Sequence, residues 1–190
     1  MKLLLHTCCA PCSGAIIETL LKEGIRPVIY YFNPNIYPIE EYVRRKEECS
    51  RYAIECGLEM IDADYDHAAW LEAVKGMENE KERGPRCAEC FRYRLLNAAE
   101  YALAGGFDTL ATTLSSSRWK NLDQINSAGQ WAVETALEKA GRQDAALPGD
   151  ALLWWGRNWR KGGLQERRNA IIREKAFYNQ LYCGCEFSIK

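Results

Sequence analysis

No apolar stretch in the chain approaches the roughly 18 residues that a membrane-spanning helix needs, so no segment reads as a membrane span. The opening Met-Lys-Leu-Leu-Leu-His resembles a secretory leader only briefly. Its apolar part falls short of the roughly 7–15 residues such a leader carries, and polar residues and cysteines follow at once. The expected setting is cytoplasmic, with no membrane partner and with thiols kept reduced. An odd count of nine cysteines argues against a scaffold made of disulfides alone. Strong net charge is missing too: a formal charge of −1 points to no partner by itself. Internal repeats and long low-complexity tracts are absent. The loop after the first predicted strand lacks a glycine-rich phosphate cradle and holds thiols instead, which argues for a metal site over a mononucleotide site.

What is there suits one domain over residues 1–190 with an ordinary core, at 47% apolar and 27% charged residues. Lys2–Thr7, Pro27–Phe32, Leu58–Ala63, Phe107–Leu114 and Ala151–Trp155 read as strands, being short, apolar and rich in β-branched and aromatic residues. Helices are expected from about Ser13 to Lys22, Ile39 to Glu55, Asp66 to Gly76, Cys87 to Leu103, Asp123 to Ala140 and Leu164 to Leu181. Strand alternating with helix predicts an α/β fold, a single-domain three-layer α/β/α arrangement around a mostly parallel sheet. Ligands of such sheets bind beyond the carboxyl ends of the strands, where strand order reverses. The loops at Cys8–Cys12 and Ser115–Ser117 are expected on that edge.

Seven cysteines fall into three tight clusters: Cys8, Cys9 and Cys12; Cys87 and Cys90; Cys183 and Cys185. Together they exceed what one tetrahedral zinc can use. The surplus points to an iron–sulfur cluster with a second iron or a working thiol beside it. Cys9 and Cys12 have CxxC spacing at a helix start, where the helix dipole favours thiolates. A thioredoxin-like dithiol would explain that segment and leave the other clusters without a purpose. Cys87 and Cys90 form a second CxxC, and two such pairs could also make a structural zinc site. Gly184 permits the tight backbone that would turn the Cys183 and Cys185 sulfurs to one site. A metal would also tie down that segment. Cys49 and Cys56, seven apart on one helix, read as ordinary buried thiols. His6 adjoins the first cysteine loop as a hydrogen-bond partner to sulfur, a proton donor or a core histidine.

Charge is uneven. Between Arg157 and Lys175 seven cations face two carboxylates, and Trp154, Trp155 and Trp159 open the stretch. The 151–185 segment is therefore a basic, tryptophan-bearing region ending in the Cys-Gly-Cys pair. Basic groups interleaved with large rings suit a nucleic-acid backbone with unstacked bases, while the plainer reading is a solvated helix face beside buried tryptophans.

His-Thr-Cys-Cys-Ala-Pro-Cys at 6–12, Phe-Asn-Pro-Asn-Ile at 32–36, Glu-Tyr at 41–42, Gly-Pro-Arg-Cys-Ala-Glu-Cys-Phe at 84–91 and Tyr-Cys-Gly-Cys at 182–185 resemble the cobalamin-independent epoxyqueuosine reductases, the QueH family. The resemblance spans nearly the whole chain. It implies a fold similar to the adenine nucleotide α-hydrolase-like (HUP) fold. The implied activity is two-electron removal of the epoxide oxygen from epoxyqueuosine at the tRNA wobble position, the last step of queuosine synthesis. It also implies a [4Fe-4S] cluster with additional iron nearby and no cobalamin. Cys12, Cys87 and Cys90 are then expected on the cluster, with its fourth ligand left open, and Cys8, Cys9, Cys183 and Cys185 on the extra iron or as thiols. Tyr37, Tyr182 and His6 are candidate proton donors. A cluster relays single electrons, so an external donor must deliver two in sequence. The wobble base lies in a single-stranded loop, and Trp159, Arg160, Lys161, Arg167 and Arg168 are the expected tRNA contacts. Two other readings are a zinc-stabilised RNA-binding module and a tRNA sulfur-transfer enzyme of the nucleotide α-hydrolase type. The second of these would need the ATP loop whose place Cys8–Cys12 occupies.

Overall fold

A computed structural model describes residues 1–142 and 151–189. Five parallel strands, β1 (Leu3–His6), β2 (Val28–Tyr31), β3 (Met60–Asp62), β4 (Thr109–Thr112) and β5 (Leu153–Trp154), lie in the order β3-β2-β1-β4-β5. Their four pairings are all parallel, with His6 opposite Tyr30 on one side and Thr112 on the other. Six α-helices stand among the described residues: α1 (Ala10–Lys22), α2 (Ile39–Glu55), α3 (His67–Ala73), α4 (Pro85–Ala104), α5 (Leu122–Lys139) and α6 (Leu164–Glu174).

Side chains of a strand alternate between faces, so a strand buried on both sides must be apolar throughout. In β1, Leu3 and Leu5 enter one core with Ile16 and Leu20 of α1, Tyr42 and Tyr52 of α2, and Ile171 of α6. Leu4 faces the other way and meets Phe91 and Leu95 of α4 and Ile125 and Val133 of α5. The result is the expected three-layer α/β/α arrangement. The strand order reverses between β1 and β4. The switch point lies at their carboxyl ends, where Cys8 and the 3₁₀ turn Thr113–Ser116 emerge.

Three helix boundaries differ from the sequence reading by three residues or more: α3 stops at Ala73 rather than Gly76, and the other two shift for clear local reasons. α1 begins at Ala10 rather than Ser13, with Cys9 extended at the N-cap and Pro11 in the first turn, where its missing N–H costs nothing. α6 stops at Glu174 instead of running to Leu181. There Ala176 turns left-handed (φ 50°), its N–H bonds Arg173 O at 3.3 Å, and Phe177 N–H bonds Ile172 O at 3.0 Å. This is a Schellman end made without its usual glycine. Phe177 is buried edge-on to Tyr52. The chain then leaves in an irregular course to Cys183 and Cys185.

Candidate metal centre

Both CxxC pairs occupy the first turns of helices aimed at the carboxyl edge of the sheet. Cys9 caps α1, and the backbone N–H groups of Cys12 and Ser13 both reach its carbonyl at 3.2 Å. Gly84 caps α4, Pro85 opens it, and Cys87 N–H bonds Gly84 O at 3.1 Å. The positive ends of the two helix dipoles thus favour sulfur as thiolate.

The Cys8, Cys9 and Cys12 sulfurs lie within 4.8 Å of one another, and Cys8 Sγ stands 3.8 Å from Cys9 Sγ. All nine cysteines are free thiols. Hydrogen bonds from Cys12 and then Cys9 hold the Cys8 sulfur well below the usual thiol range, against burial; Lys120 and Arg94 add to them. Burial pushes Cys9 up, and the Cys8 contact raises Cys12 to about 12. Of the three, Cys8 is the thiol held lowest. Gln180 Nε2 donates to Cys9 Sγ at 2.8 Å.

The other four thiols neighbour one another on the same edge, more loosely than the trio. Cys90 and Cys185 are buried with Trp70 and Val74, against which Phe187 packs. Burial raises Cys87 and Cys90, and Cys183 raises both further. Cys185 is pushed up to about 12 by burial and by Cys90. Arg83 N–H donates to Cys87 Sγ at 3.3 Å, and Lys120 Nζ donates to Cys183 Sγ at 3.4 Å. Front, middle and tail segments thus converge on one rim of the sheet.

Lys120 and Arg94 link the groups. Burial alone would lower the Lys120 ammonium; the Cys183, Cys8 and Cys12 sulfurs outweigh it, and the amine stays charged. Arg94 is 2% exposed and acts on His6, Cys8 and Cys90, while its Nη2 donates to Asn33 Oδ1. Neither cation pairs with a carboxylate among the described residues. Arg94 Nε also has no hydrogen-bond partner there. Buried cations need compensating negative charge. Soft thiolate donors with two uncompensated cations fit an anionic metal–sulfur centre.

The tail is fastened across this edge. Arg45, 2% exposed, pairs with Glu41 at 2.6 Å and donates to the carbonyls of Cys183 (3.2 Å) and Tyr182 (3.3 Å). Tyr37 N–H bonds Gly184 O at 2.8 Å, and His67 meets Glu186 at 2.8 Å.

The remaining candidates divide. Tyr37 is exposed at the rim with no hydrogen bond to its hydroxyl among the described residues, and the Tyr182 hydroxyl donates to the Tyr37 carbonyl. His6 is not suited to donate protons. It is wholly buried, its Nε2–H donates to Phe32 O at 3.2 Å, and Nδ1 faces Thr112 Oγ1 at 2.8 Å. Burial and then Arg94 lower its pKa to about 3, keeping it a neutral strut. Trp159 offers no stacking surface, being 1% exposed in the core beside Trp155. Arg167 is neutralised by Glu18 and Glu174, both at 2.7 Å. Arg168 bonds Asn169 and Asn179, Lys161 is exposed, and Arg160 donates to the carbonyls of Ser115 (3.1 Å) and Lys120 (2.8 Å). Sequence reasoning passed over Lys120, Arg94, Gln180 and Arg45. Arg94 had a signal, since it follows Cys90 by four and Cys87 by seven and so shares their helix face.

The family model described as "Epoxyqueuosine reductase QueH" matches residues 3–190. The chain belongs to the QueH family. Its QueH relatives include the epoxyqueuosine reductase of Histophilus somni, 46% identical over 189 residues that cover 100% of this chain and 72% of that protein. That of Acinetobacter baylyi is 45% identical over 189 residues, 100% of this chain and 81% of its own. That of Thermotoga maritima is 32% identical over 190 residues, 98% and 89% respectively. All three relatives are named epoxyqueuosine reductases.

Proposed function

We propose that this chain is an epoxyqueuosine reductase that deoxygenates the epoxide of epoxyqueuosine at the tRNA wobble position. Both C–O bonds of the epoxide break, a C=C bond forms, and the oxygen leaves as water after taking up two electrons and two protons. The electrons come from an external donor. The observation that carries the reading is the Cys8, Cys9 and Cys12 trio at the switch point, with Lys120 reaching from it to Cys183 and Arg94 to Cys90, two cations that pair with no carboxylate among the described residues.

A [4Fe-4S] cluster with additional iron, when bound, supplies electrons one at a time and Lewis acidity toward the epoxide oxygen. Two thiolates on one tetrahedral ion at about 2.3 Å stand about 3.8 Å apart. The Cys8–Cys9 spacing of 3.8 Å therefore favours Cys8, Cys9 and Cys12 as ligands of a single ion. That leaves Cys87, Cys90, Cys183 and Cys185 to the cluster, a division that moves Cys12 away from Cys87 and Cys90. Lys120 and Arg94 compensate the anionic centre. The Tyr37 hydroxyl, free at the rim, is the proposed proton donor, ahead of Tyr182. Of the basic stretch, Arg160, Lys161 and Arg168 remain proposed RNA contacts.

Anaerobic purification tests the reading. A brown protein holding iron and sulfide that converts epoxyqueuosine to queuosine in tRNA, read by nucleoside mass spectrometry, is expected. A colourless protein holding only zinc would overturn it.

A further inference from the structure

Trp119 is 65% exposed, the most exposed of the chain's tryptophans among the described residues, and it directly precedes Lys120, whose ammonium touches Cys183. A large ring is costly to leave in water unless something covers it. It is also anchored. Arg83 Nε donates to Trp119 O at 2.7 Å, while the backbone N–H of the same Arg83 donates to Cys87 Sγ. One arginine thus joins the exposed ring to the thiol group, and it does so from a left-handed backbone (φ 68°) that L-residues rarely adopt.

The charges around the ring lack partners. Arg83, Arg118, Arg160 and Lys161 form no ion pair among the described residues. The Arg118 guanidinium stands 4.8 Å from the Trp119 ring centroid. Arg160 pins the loop from beneath through Ser115 O and Lys120 O, and Gln165 holds Ser116 O at 2.9 Å. Burial lowers the Arg160 guanidinium and the nearby Arg83 charge lowers it further, so two like charges are kept together with no carboxylate between them. Adjacent arginines beside an exposed ring on an ordered loop have the chemistry of a phosphate-and-base platform.

We infer that the loop Ser117–Lys120, with Arg83 and Arg160, is the docking rim for a single-stranded RNA loop. Trp119 stacks a base next to the reacting nucleotide, and the arginines hold the neighbouring phosphates. This rests on the reductase reading and names the surface through which its substrate is held. The place foreseen for Trp159 belongs to Trp119.

The probe is a synthetic anticodon stem-loop RNA with unmodified guanosine at the wobble position, titrated against the metal-loaded full chain by fluorescence anisotropy. Trp119→Ala should weaken binding about tenfold or more, and Trp119→Phe should stay within about threefold because a stacking face is kept. Arg83→Gln should weaken binding and lower the slope of log Kd against log salt by about one. Arg167→Gln, on the self-neutralised face, should change affinity less than about twofold. Unchanged iron and sulfide in Trp119→Ala and Trp119→Phe separate docking from damage to the centre. Affinities of Trp119→Ala and Arg83→Gln both within twofold of the unaltered chain would overturn the inference, and so would loss of iron that accounts for the lost binding. If the unaltered chain still converts epoxyqueuosine in tRNA, the reductase reading survives that result. If it binds the hairpin through Trp119 but holds no iron and converts nothing, only the reductase reading falls.

Discussion

The two thiol groups reach the same rim by different routes. Cys8, Cys9 and Cys12 come from five consecutive residues at one helix start, and their sulfurs lie within 4.8 Å of one another before any metal is considered. Cys183 and Cys185 come near Cys87 and Cys90 from a distant part of the sequence, on a tail held to the sheet edge by Arg45, Tyr37 and His67. The first group is local and pre-organised. The second depends on long-range docking, so under the proposed division of ligands its metal affinity would be linked to the tail's attachment. Damage to the strap should cost the second group its metal and spare the first.

The largest effect belongs to the thiols themselves. Loss of an outer-shell partner typically costs about 10–100-fold, and loss of a ligand should exceed that. Cys12→Ala and Cys183→Ala should each lower queuosine formation by more than about 100-fold. Their iron-to-sulfide ratios, measured anaerobically, should differ: Cys12→Ala loses iron without sulfide, and Cys183→Ala loses both. Identical losses would dissolve the distinction between the groups.

Arg45→Met comes next. It strands a buried Glu41 carboxylate and releases the carbonyls of Tyr182 and Cys183. Breaking a buried pair from one side costs about 3–5 kcal/mol, which should appear as a lower thermal midpoint. Arg45→Met with Glu41→Leu removes the stranded charge and should recover part of the stability while the tail stays loose. Stability restored together with full sulfide content would show that the strap is dispensable.

Gly184→Ala probes the same strap more gently. Gly184 has φ 110°, and an added Cβ would stand 3.0 Å from both Ile36 Cγ1 and Arg45 Nη1. A strained backbone costs about 1–3 kcal/mol, and hydrogen exchange of the Tyr37 amide, bonded to Gly184 O, should quicken. The amides that bond Cys9 O, at the local group, should not.

Much of the fold was legible because buried parallel strands leave short apolar runs and the helices between them carry clear stops. The end of α6 was not, since Ala176 takes the left-handed position that a glycine would have announced. Nor does cysteine announce an N-cap, which hid the true start of α1. The site was legible in its sulfur, whose spacing is local, and illegible in its counter-charges. Lys120 sits in a loop between the two groups, and no periodicity marks it. The basic stretch shows the limit of counting charge: Arg157, Arg167 and Lys175 find Glu23, Glu18 and Glu55 on other elements, so most of the apparent excess is cancelled in space.

Lys120 touches the second group and acts on the first, so its loss sharpens the comparison from the electrostatic side. Removing one positive charge beside an anionic centre at an effective dielectric of about 20 should shift the reduction potential negative by about 50–100 mV, or about 1–2 kcal/mol for one electron. Lys120→Met should show this shift in spectroelectrochemistry, and Lys120→Arg should restore most of it. Equal potentials in the two variants would reduce Lys120 to a packing residue.

The smallest effect is expected at a thiol outside both groups. Cys49 is 4% exposed in the core beside α1, and burial raises it well above the usual thiol range, with Cys8 and Cys12 adding to the rise. It packs in the apolar core and stands outside the three sulfurs that lie within 4.8 Å of one another. Cys49→Ala removes one sulfur from a packed core and should cost about 1 kcal/mol. Iron, sulfide and turnover should stay within about 20% of the unaltered chain, a margin far inside the tenfold that any outer-shell partner would forfeit. A marked loss of iron in this variant would enlarge the local group to four sulfurs and erase the asymmetry between a trio fixed by one helix start and a quartet fixed by a strap.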